Sequence, residues 1–244
     1  MKNSKNNLPP ELVDFLGRNS QRATPMECAP PVEKADGEWV YYRSGLPWLL
    51  LDLQFPYQEM SVEAQRLLPE FIPSYHEKGK GWKYLPLMEE DGGAEPPGWT
   101  LSAERCPVIK RFFTDQWPYG SVSRVRLMAL LPGGYLLPHT DPYQLVAGPP
   151  HSLESFQFSL ATPRGSLYGF EKGGLIPWKP GQCYAIDLSY KHALLNQSDE
   201  TRINLIIAHR AMNWTEMSRL FERSFRDSRQ RSERVDMRNG RQEF

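Results

Sequence analysis

Two histidines and an aspartate are the residues of this chain whose types and spacing suggest metal chemistry. His139 and Asp141 occur in Pro138-His139-Thr140-Asp141, and His192 follows later in a β-rich region. Residues i and i+2 of a strand face the same side, so an imidazole and a carboxylate can meet inside a barrel, where His192 would complete the set. Two histidines and one carboxylate leave three positions of an octahedral metal open, the arrangement with which non-haem Fe(II) sites take up a bidentate co-substrate and dioxygen. A structural zinc site leaves none open.

Arg202 is the next candidate, ten positions after His192 and at the start of the apolar run Arg202-Ile-Asn-Leu-Ile-Ile-Ala. A guanidinium that points into a barrel is costly to desolvate unless it meets an anion, and its planar fork matches a carboxylate. The terminal carboxylate of 2-oxoglutarate fits this need. Arg126 alternates with Arg124 on one strand face. It either reaches the carboxylate of a co-substrate or substrate, or it lines the barrel rim.

Each of these residues also has a plain structural interpretation. Asp141-Pro142 is a common start of a turn, which His139 could cap. His192 could be an ordinary loop histidine, and Arg202 could be a surface residue in a salt bridge. His-x-Asp alone occurs by chance in many chains, so its weight comes from the residues that follow it.

The elements that must position these side chains are short strands. Between Ser121 and Arg210, runs rich in Val, Ile, Leu, Phe and Tyr alternate with Gly- and Pro-containing turns. About eight strands at this spacing predict a β-sandwich or barrel. The turns fall at residues 132–134, 147–150, 163–165, 172–174 and 179–181.

Helices are predicted before and after the strands from apolar residues at helical spacing. Ser61 is the expected N-cap of one helix, and Thr215 is a candidate cap for the last. The predicted helices cover residues 11–16, 61–70, 102–116 and the stretch that follows Trp214.

Composition excludes several classes of function. The 244 residues carry 29 Lys+Arg and 29 Asp+Glu, so no overall field attracts nucleic acid or an anionic membrane. No segment approaches the ~20 apolar residues of a membrane helix. The N-terminus does not read as a secretory signal and the three cysteines have no paired spacing, so we expect a cytoplasmic protein that binds neither nucleic acid nor a membrane.

At the level of motifs, the segment from Arg124 to Arg210 resembles the aspartyl/asparaginyl β-hydroxylase family of Fe(II)/2-oxoglutarate-dependent oxygenases. The matching text is Arg124-Val-Arg-Leu-Met-Ala-Leu-Leu-Pro-Gly-Gly-Tyr-Leu-Leu-Pro-His-Thr-Asp141, Gly181-Gln-Cys-Tyr-Ala-Ile-Asp187, His192-Ala-Leu-Leu-Asn196 and Thr201-Arg202-Ile203. The resemblance implies a double-stranded β-helix (jelly roll, cupin-like) with flanking helices, and hydroxylation of an amino acid or an amino-acid residue. It further implies iron held by His139, Asp141 and His192, with 2-oxoglutarate paired to Arg202 and dioxygen as the oxidant.

One strand departs from the family pattern. The family often carries Arg-x-His-x-x-Leu after the His-x-Asp loop, whereas this chain has Ser155-Phe-Gln-Phe-Ser-Leu160. Gln157 takes the place of the histidine and the arginine is missing. We therefore assign Gln157 and Ser159 to the co-substrate site together with Arg126; Thr162 and Tyr135 are further hydroxyl candidates.

The expected organisation is an N-terminal arm over 1–37, an oxygenase domain over 38–212 with its jelly-roll core at about 121–210, and a C-terminal helix and tail over 213–244. Two other function classes stay open at this point. One is a cupin-like metal-binding protein that catalyses another reaction or only binds a ligand. The other is an interaction protein in which the barrel is a scaffold. The substrate and the oligomeric state are not predicted.

Overall fold

A computed structural model describes most of the chain. The described residues are 8–20, 32–33, 39–40, 47–74, 78–89, 98–141, 154–171, 173–188, 190–213, 215–224 and 226. Most of the predicted N-terminal arm and the tail beyond residue 226 lie outside them. None of the helices in these ranges is long and apolar enough to cross a membrane.

Helices lie on both sides of the β-region, as the sequence predicts, but six strands of the described ranges lie before residue 100, where the sequence predicts none. The helices are α1 (Pro10–Ser20), α2 (Tyr57–Leu67), α3 (Pro107–Arg111) and α4 (215–224). The strands are β1 (Val32–Glu33), β2 (Trp39–Val40), β3 (Trp48–Leu50), β4 (Ile72–Pro73), β5 (Gly79–Glu89), β6 (Gly98–Trp99), β7 (Gly120–His139), β8 (Glu154–Ala161), β9 (Ser166–Phe170), β10 (Gly174–Leu175), β11 (Cys183–Asp187), β12 (His192–Asn196) and β13 (Arg202–Met212).

The long strand β7 belongs to two sheets that face each other. Residues 120–130 of β7 pair with β13, and the order continues through β8 and β11 to β3; we call this the large sheet. Residues 135–139 of β7 pair with β12, followed by β9 and β10; we call this the small sheet. From β8 to β13 the chain passes repeatedly between the two sheets, apart from the consecutive β9 and β10, which pair within the small sheet, and all of these pairings are antiparallel. The structure therefore confirms the predicted double-stranded β-helix.

Glycines let β7 pass from one sheet to the other. Gly133 has a φ of +68°, a left-handed conformation that side chains with a Cβ rarely adopt. A Cβ on Gly134 would lie 2.8 Å from both the Leu130 side chain and the Leu131 carbonyl oxygen. The Pro-Gly-Gly sequence that predicts a turn thus forms a bend inside one long strand.

The large sheet separates two apolar regions because its side chains alternate between its faces. Leu127, Phe158 and Leu205 face the helices, in a helix-side core that also contains Met60 of α2 and Leu220 of α4. The opposite face looks towards the small sheet across the barrel interior. The apolar residues of the barrel interior, which come from both sheets and from the loop before β11, include Leu130, Tyr168, Phe170, Ile176, Trp178, Tyr184, Ile186 and Leu194.

Helix α1 covers the outer face of the small sheet. Its Leu12, Phe15 and Leu16 are buried against Ala193 and Leu195 of β12. The approach requires Gly169 in β9, because a Cβ there would lie 2.8 Å from the Leu16 side chain. Residues 10–20 are therefore packed against the barrel.

Three details of the predicted helices are wrong. Helix α2 begins at Tyr57 after Pro56, so Ser61 lies inside it and is not its N-cap. The predicted helix over 102–116 is divided by Cys106, whose φ of −120° reflects the restriction that Pro107 places on the residue before it. A 3₁₀ turn (Leu101–Arg105) precedes this break, and a π-helical turn (Phe112–Gln116) follows α3.

The cap of the last helix is the third such detail. Thr215 lies within α4. The Oδ1 atom of Asn213 accepts a hydrogen bond from the backbone N of Glu216 at 3.4 Å. Asn213 is therefore the residue that caps α4, two positions before the predicted one.

We predict that Glu63→Gln destabilises the fold. The buried Glu63 carboxylate of α2 accepts hydrogen bonds from the backbone N atoms of Val108 (2.8 Å) and Ile109 (3.1 Å) at the start of α3. The amide of glutamine has only one acceptor oxygen, and its NH₂ group would face a buried backbone N–H. We therefore expect the free energy of unfolding, measured with urea, to fall by about 1–3 kcal/mol. Glu59→Gln on the exposed side of α2 is the matched control. Equal stability of the two variants would contradict this role.

Candidate metal centre

The three residues predicted to bind metal come together at one end of the barrel interior. The Nε2 atom of His139 lies 3.5 Å from Oδ1 of Asp141, and the Nε2 atom of His192 lies 4.0 Å from Oδ2 of the same carboxylate. The candidate ligand atoms all lie within 4.8 Å of one another. A single divalent ion can therefore contact one atom from each residue.

A strand pairing and a bulge bring the two imidazoles together. His192, the first residue of β12, pairs directly with His139, the last residue of β7, and their rings are 4.3 Å apart. The next paired residue after His192 is Leu194 opposite Leu136, so the register shifts by one residue. Such a bulge changes which side chains face inward. It allows both Leu136 and His139 to face the barrel interior.

Asp141 reaches the site from a loop, not from the strand. Strand β7 ends at His139, so the i, i+2 alternation that predicted the shared face does not apply to Asp141. The backbone N of Asp141 instead donates to the carbonyl of Leu188 at 3.1 Å, which ties it to the loop that leads to His192. The prediction of proximity is fulfilled, but its proposed cause is wrong.

The hydrogen bonds of both imidazoles select the tautomer that a metal needs. His139 Nδ1 lies 2.7 Å from the carbonyl oxygen of Leu137, and His192 Nδ1 lies 2.9 Å from that of Tyr190. A carbonyl only accepts, so each Nδ1 carries the proton and each Nε2 presents a lone pair. A backbone carbonyl on the second nitrogen is the usual support of a metal-binding histidine.

The metal site has a closed side and an open side. The side chains of His139 and His192 are almost fully buried, and the Phe170 ring is stacked on that of His192 at 5.5 Å. The side chain of Asp141 is 44% exposed. A ligand can therefore reach this metal site from the side of Asp141, while the imidazoles are held against the apolar interior.

Arg202 lies inside the barrel, and among the described residues no carboxylate compensates its charge. The residue is 1% exposed, and no ion pair of Arg202 with an acidic side chain occurs in the described part of the chain. Its Cζ lies 4.7 Å from the centre of the Trp178 ring and 5.4 Å from that of Tyr168. Burial lowers the pKa of Arg202 to about 10. Within the described residues its Nη1 has no hydrogen-bond acceptor.

Tyr168 connects the arginine to the metal site. The Tyr168 ring lies 5.8 Å from the ring of His192 and also faces the guanidinium. Burial raises the pKa of Tyr168, and Gln157 hydrogen-bonds its hydroxyl group. Arg202 therefore lies one aromatic ring away from a metal ligand, on the buried side of the site.

Asn204 and Gln157 form a polar patch beside Arg202. Arg202 can only donate, so the Asn204 amide must turn its oxygen towards it, and in that orientation Oδ1 accepts from Nη2 at 2.7 Å. Gln157 of β8 is buried and borders the Asn204 amide. The structure thus places Gln157 beside Asn204, which in turn contacts Arg202, and the role of Gln157 in binding a co-substrate stays a prediction.

The other predicted co-substrate residues are engaged elsewhere. The hydroxyl of Ser159 is buried and lies 2.5 Å from that of Thr162. Arg126 forms an ion pair with Glu89 at 2.6 Å and lies over the Tyr84 ring. The contacts of Ser159 and Arg126 with the described residues involve neither the metal ligands nor Arg202, so their roles remain predictions.

Tyr135, which the sequence offered as a hydroxyl donor to the co-substrate, does not face the barrel interior. It packs with the cluster around α1 on the outer face of the small sheet, away from the barrel interior. Two interior residues, Tyr168 and Asn204, were not singled out from the sequence. Asn204 could have been found, because it stands two positions after Arg202 in one strand and so shares its face. Tyr168 carried no such signal.

A family comparison and a search of solved structures both find matches. The model for aspartyl/asparaginyl beta-hydroxylase matches residues 54–211, which include the three candidate ligands and Arg202. No curated protein matches the sequence significantly.

The similar solved structures are distant. A viral collagen prolyl hydroxylase from Paramecium Bursaria Chlorella virus-1, in a 2OG complex, is 17% identical over 67% of this chain and 96% of that chain, with a TM-score of 0.42. A prolyl-4-hydroxylase from Pseudomonas putida is 14% identical over 67% and 91%, with a TM-score of 0.43. A cupin-2 domain from Rhodospirillum rubrum is 10% identical over 59% and 73%, with a TM-score of 0.33. The family match, which rests on sequence, is the stronger finding.

We predict that His192→Ala and Asp141→Ala each weaken binding of Fe(II) under anaerobic conditions. Loss of a ligand should cost more than the roughly 10–100-fold that loss of an outer-shell partner costs. Isothermal titration of the purified variants measures this, with Asp115→Ala at an exposed position as the control. Unchanged affinity in either variant would remove that residue from the metal site.

We also predict that Arg202→Met stabilises the protein in the absence of ligands. The folded-state pKa of Arg202, about 10, lies below its ordinary value, so the buried charge costs stability at neutral pH and the cost is relieved only as pH rises through about 10. An apolar replacement should raise the free energy of unfolding, measured with urea at pH 7, by about 1–3 kcal/mol. A clear loss of stability would mean that the charge already has a compensating partner.

Proposed function

The chain belongs to the aspartyl/asparaginyl β-hydroxylase family of Fe(II)/2-oxoglutarate-dependent oxygenases, and on this premise we propose that it hydroxylates an amino acid, either free or within a peptide. The co-substrates are 2-oxoglutarate and dioxygen, and His139, Asp141 and His192 hold the iron. The family match covers all three residues. A screen of free amino acids against peptides, described below, distinguishes the two substrate classes.

The observation that carries the proposal is a buried cation beside an open metal site. Arg202 is 1% exposed and is separated from His192 by the ring of Tyr168. A desolvated guanidinium lowers stability unless it meets an anion, and its fork suits a carboxylate. A dicarboxylic acid with a 2-oxo group at the far end satisfies both the arginine and a metal with open positions.

The donor set also fits iron. Two imidazole nitrogens and one carboxylate on one side of an ion are the facial arrangement of non-haem Fe(II) oxygenases. Among the described residues no cysteine joins this cluster, so the soft ligands that favour structural zinc are missing there. When bound, the iron supplies activation of dioxygen and the oxidation of a C–H bond.

The protein's own residues do the positioning. Leu137 and Tyr190 hold the two imidazoles through their carbonyl oxygens, so the Nε2 atoms remain directed at the metal. Arg202, oriented by the Asn204 amide, binds the distal carboxylate of the co-substrate. The aromatic walls, which include Tyr168 and Phe170, exclude water from the buried side.

The substrate approaches on the side where Asp141 is exposed, because the imidazole side of the site is closed. With 29 basic and 29 acidic residues the chain has no overall charge that favours nucleic acid. Cys106 and Cys183 are buried free thiols, as is usual in a reducing compartment. We propose on this basis a cytoplasmic enzyme that does not act on nucleic acid; cell fractionation with the full chain checks the location.

The proposal predicts a visible absorption band when 2-oxoglutarate is added anaerobically to the Fe(II) protein. Chelation of iron by a 2-oxo acid should give a weak band near ~500 nm, which requires open metal positions. Arg202→Met should lower the affinity for 2-oxoglutarate roughly 10–100-fold, because a charge-assisted bidentate contact is lost. Iron binding without a band would overturn the oxygenase proposal and favour a cupin-like protein with another activity.

Substrate-dependent release of succinate is the second measurement. Free amino acids and short peptides are screened separately, so that activity with one set identifies the substrate class. Asp141→Ala should abolish turnover with either set. Full activity of that variant would contradict the proposed iron ligands.

A further inference from the structure

Trp178 has a buried indole N–H without an acceptor. The residue is 8% exposed, and Nε1 has no hydrogen-bond partner in the described part of the chain. Trp178 lies between β10 and β11 and belongs to the apolar cluster of the barrel interior. Buried donors in folded proteins nearly always have an acceptor. The orphaned N–H therefore indicates an acceptor that the described residues do not supply.

A second orphaned donor lies beside it. The Cζ of Arg202 is 4.7 Å from the centre of the Trp178 ring, and Arg202 Nη1 is likewise buried without an acceptor among the described residues. One of the two donors is charged, and the two side chains are in contact. A carboxylate has two oxygens and about four lone-pair directions, so one such group can accept from both.

The Trp178 ring is held rigidly. The Tyr168 ring is stacked on it at 5.8 Å, and the Tyr184 ring packs edge-on at 4.6 Å. The loop backbone is fixed as well, because Trp178 N donates to Ile176 O at 2.9 Å and the Tyr184 hydroxyl donates to Pro177 O at 3.0 Å. A donor held in this way needs no rearrangement to bind a ligand.

Trp117 provides an internal comparison. Its indole N–H, buried in the helix-side core, donates to Nε2 of His209 at 3.1 Å. The Trp48 N–H likewise donates to the Gly173 carbonyl oxygen at 3.0 Å, so at these two positions the protein itself satisfies the indole. The unsatisfied N–H of Trp178 beside Arg202 is consequently a feature of the site.

We propose that Trp178 Nε1 donates a hydrogen bond to the carboxylate that Arg202 binds, the distal carboxylate of 2-oxoglutarate. This inference rests on the proposed function and adds a residue to its co-substrate site. It also accounts for the departure in β8, where Gln157 replaces a histidine and the expected arginine is missing. In this chain the second side-chain donor to the co-substrate comes from the loop before β11 instead.

The test follows the indole N–H signals of the Zn(II)-substituted, ¹⁵N-labelled protein by NMR, since Zn(II) is diamagnetic. The chain has seven tryptophans, and the Trp178 signal is the one lost in Trp178→Phe. Addition of 2-oxoglutarate should shift this signal. Pyruvate, which has the 2-oxo acid group but no distal carboxylate, should leave it unchanged. If the phenylalanine variant does not fold, the Trp178 signal is assigned as the one that is lost in Trp178→Tyr.

Binding of 2-oxoglutarate to the variants is the second measurement. Trp178→Phe keeps an aromatic ring but loses the N–H, so we expect at least tenfold weaker binding with Fe(II) binding unchanged. Trp117→Phe is the matched control and should bind 2-oxoglutarate like the unmodified protein. An unmoved Trp178 signal and an unchanged affinity, with normal binding by the unmodified protein, would overturn this inference alone. Failure of the unmodified protein to bind 2-oxoglutarate would overturn the proposed function itself.

Discussion

The charge of Arg202 inside an apolar barrel is the constraint around which the interior is arranged. Its neighbours are aromatic faces and one amide, and none of the described acidic side chains pairs with it. A folded chain that only needed stability would have an apolar residue at this position, because a buried uncompensated cation lowers stability. On the function proposed above, an anionic ligand explains the arginine, because its binding returns the free energy that the burial of the charge costs.

The metal ligands and the arginine are related through a single strand. Strand β7 pairs with Arg202 at its Leu130 and with His192 at its His139, so the register along β7 fixes the separation of the two halves of the site. The glycine bend at 133–134 and the bulge before His139 are the irregularities that make this geometry. Both occur where a regular strand would direct side chains to the wrong sheet or the wrong face.

The polar residues around Arg202 differ from the pattern that the family often carries. At the strand position where the family often carries a histidine, this chain has Gln157, which contacts the hydroxyl of Tyr168 and borders Asn204. Gln157 thus holds the Tyr168 hydroxyl, and Asn204 holds the guanidinium of Arg202. The donor capacity towards a carboxylate then lies with Nη1 of Arg202 and Nε1 of Trp178, which have no acceptor among the described residues.

The sequence by itself determined the β-rich core, the flanking helices, the three candidate metal ligands and Arg202, because turn residues, apolar runs, the few histidines and an arginine at the start of an apolar strand are local signals. Only the tertiary structure decided which face each side chain occupies. The bulge reversed the alternation before His139, the loop carried Asp141 to the site by a hydrogen bond to Leu188, and Tyr135 turned outward to α1. Trp178 became a neighbour of Arg202 through a loop closed by distant strands. These contacts join residues far apart in the chain, so strand pairing and packing determine them, and no local pattern encodes them.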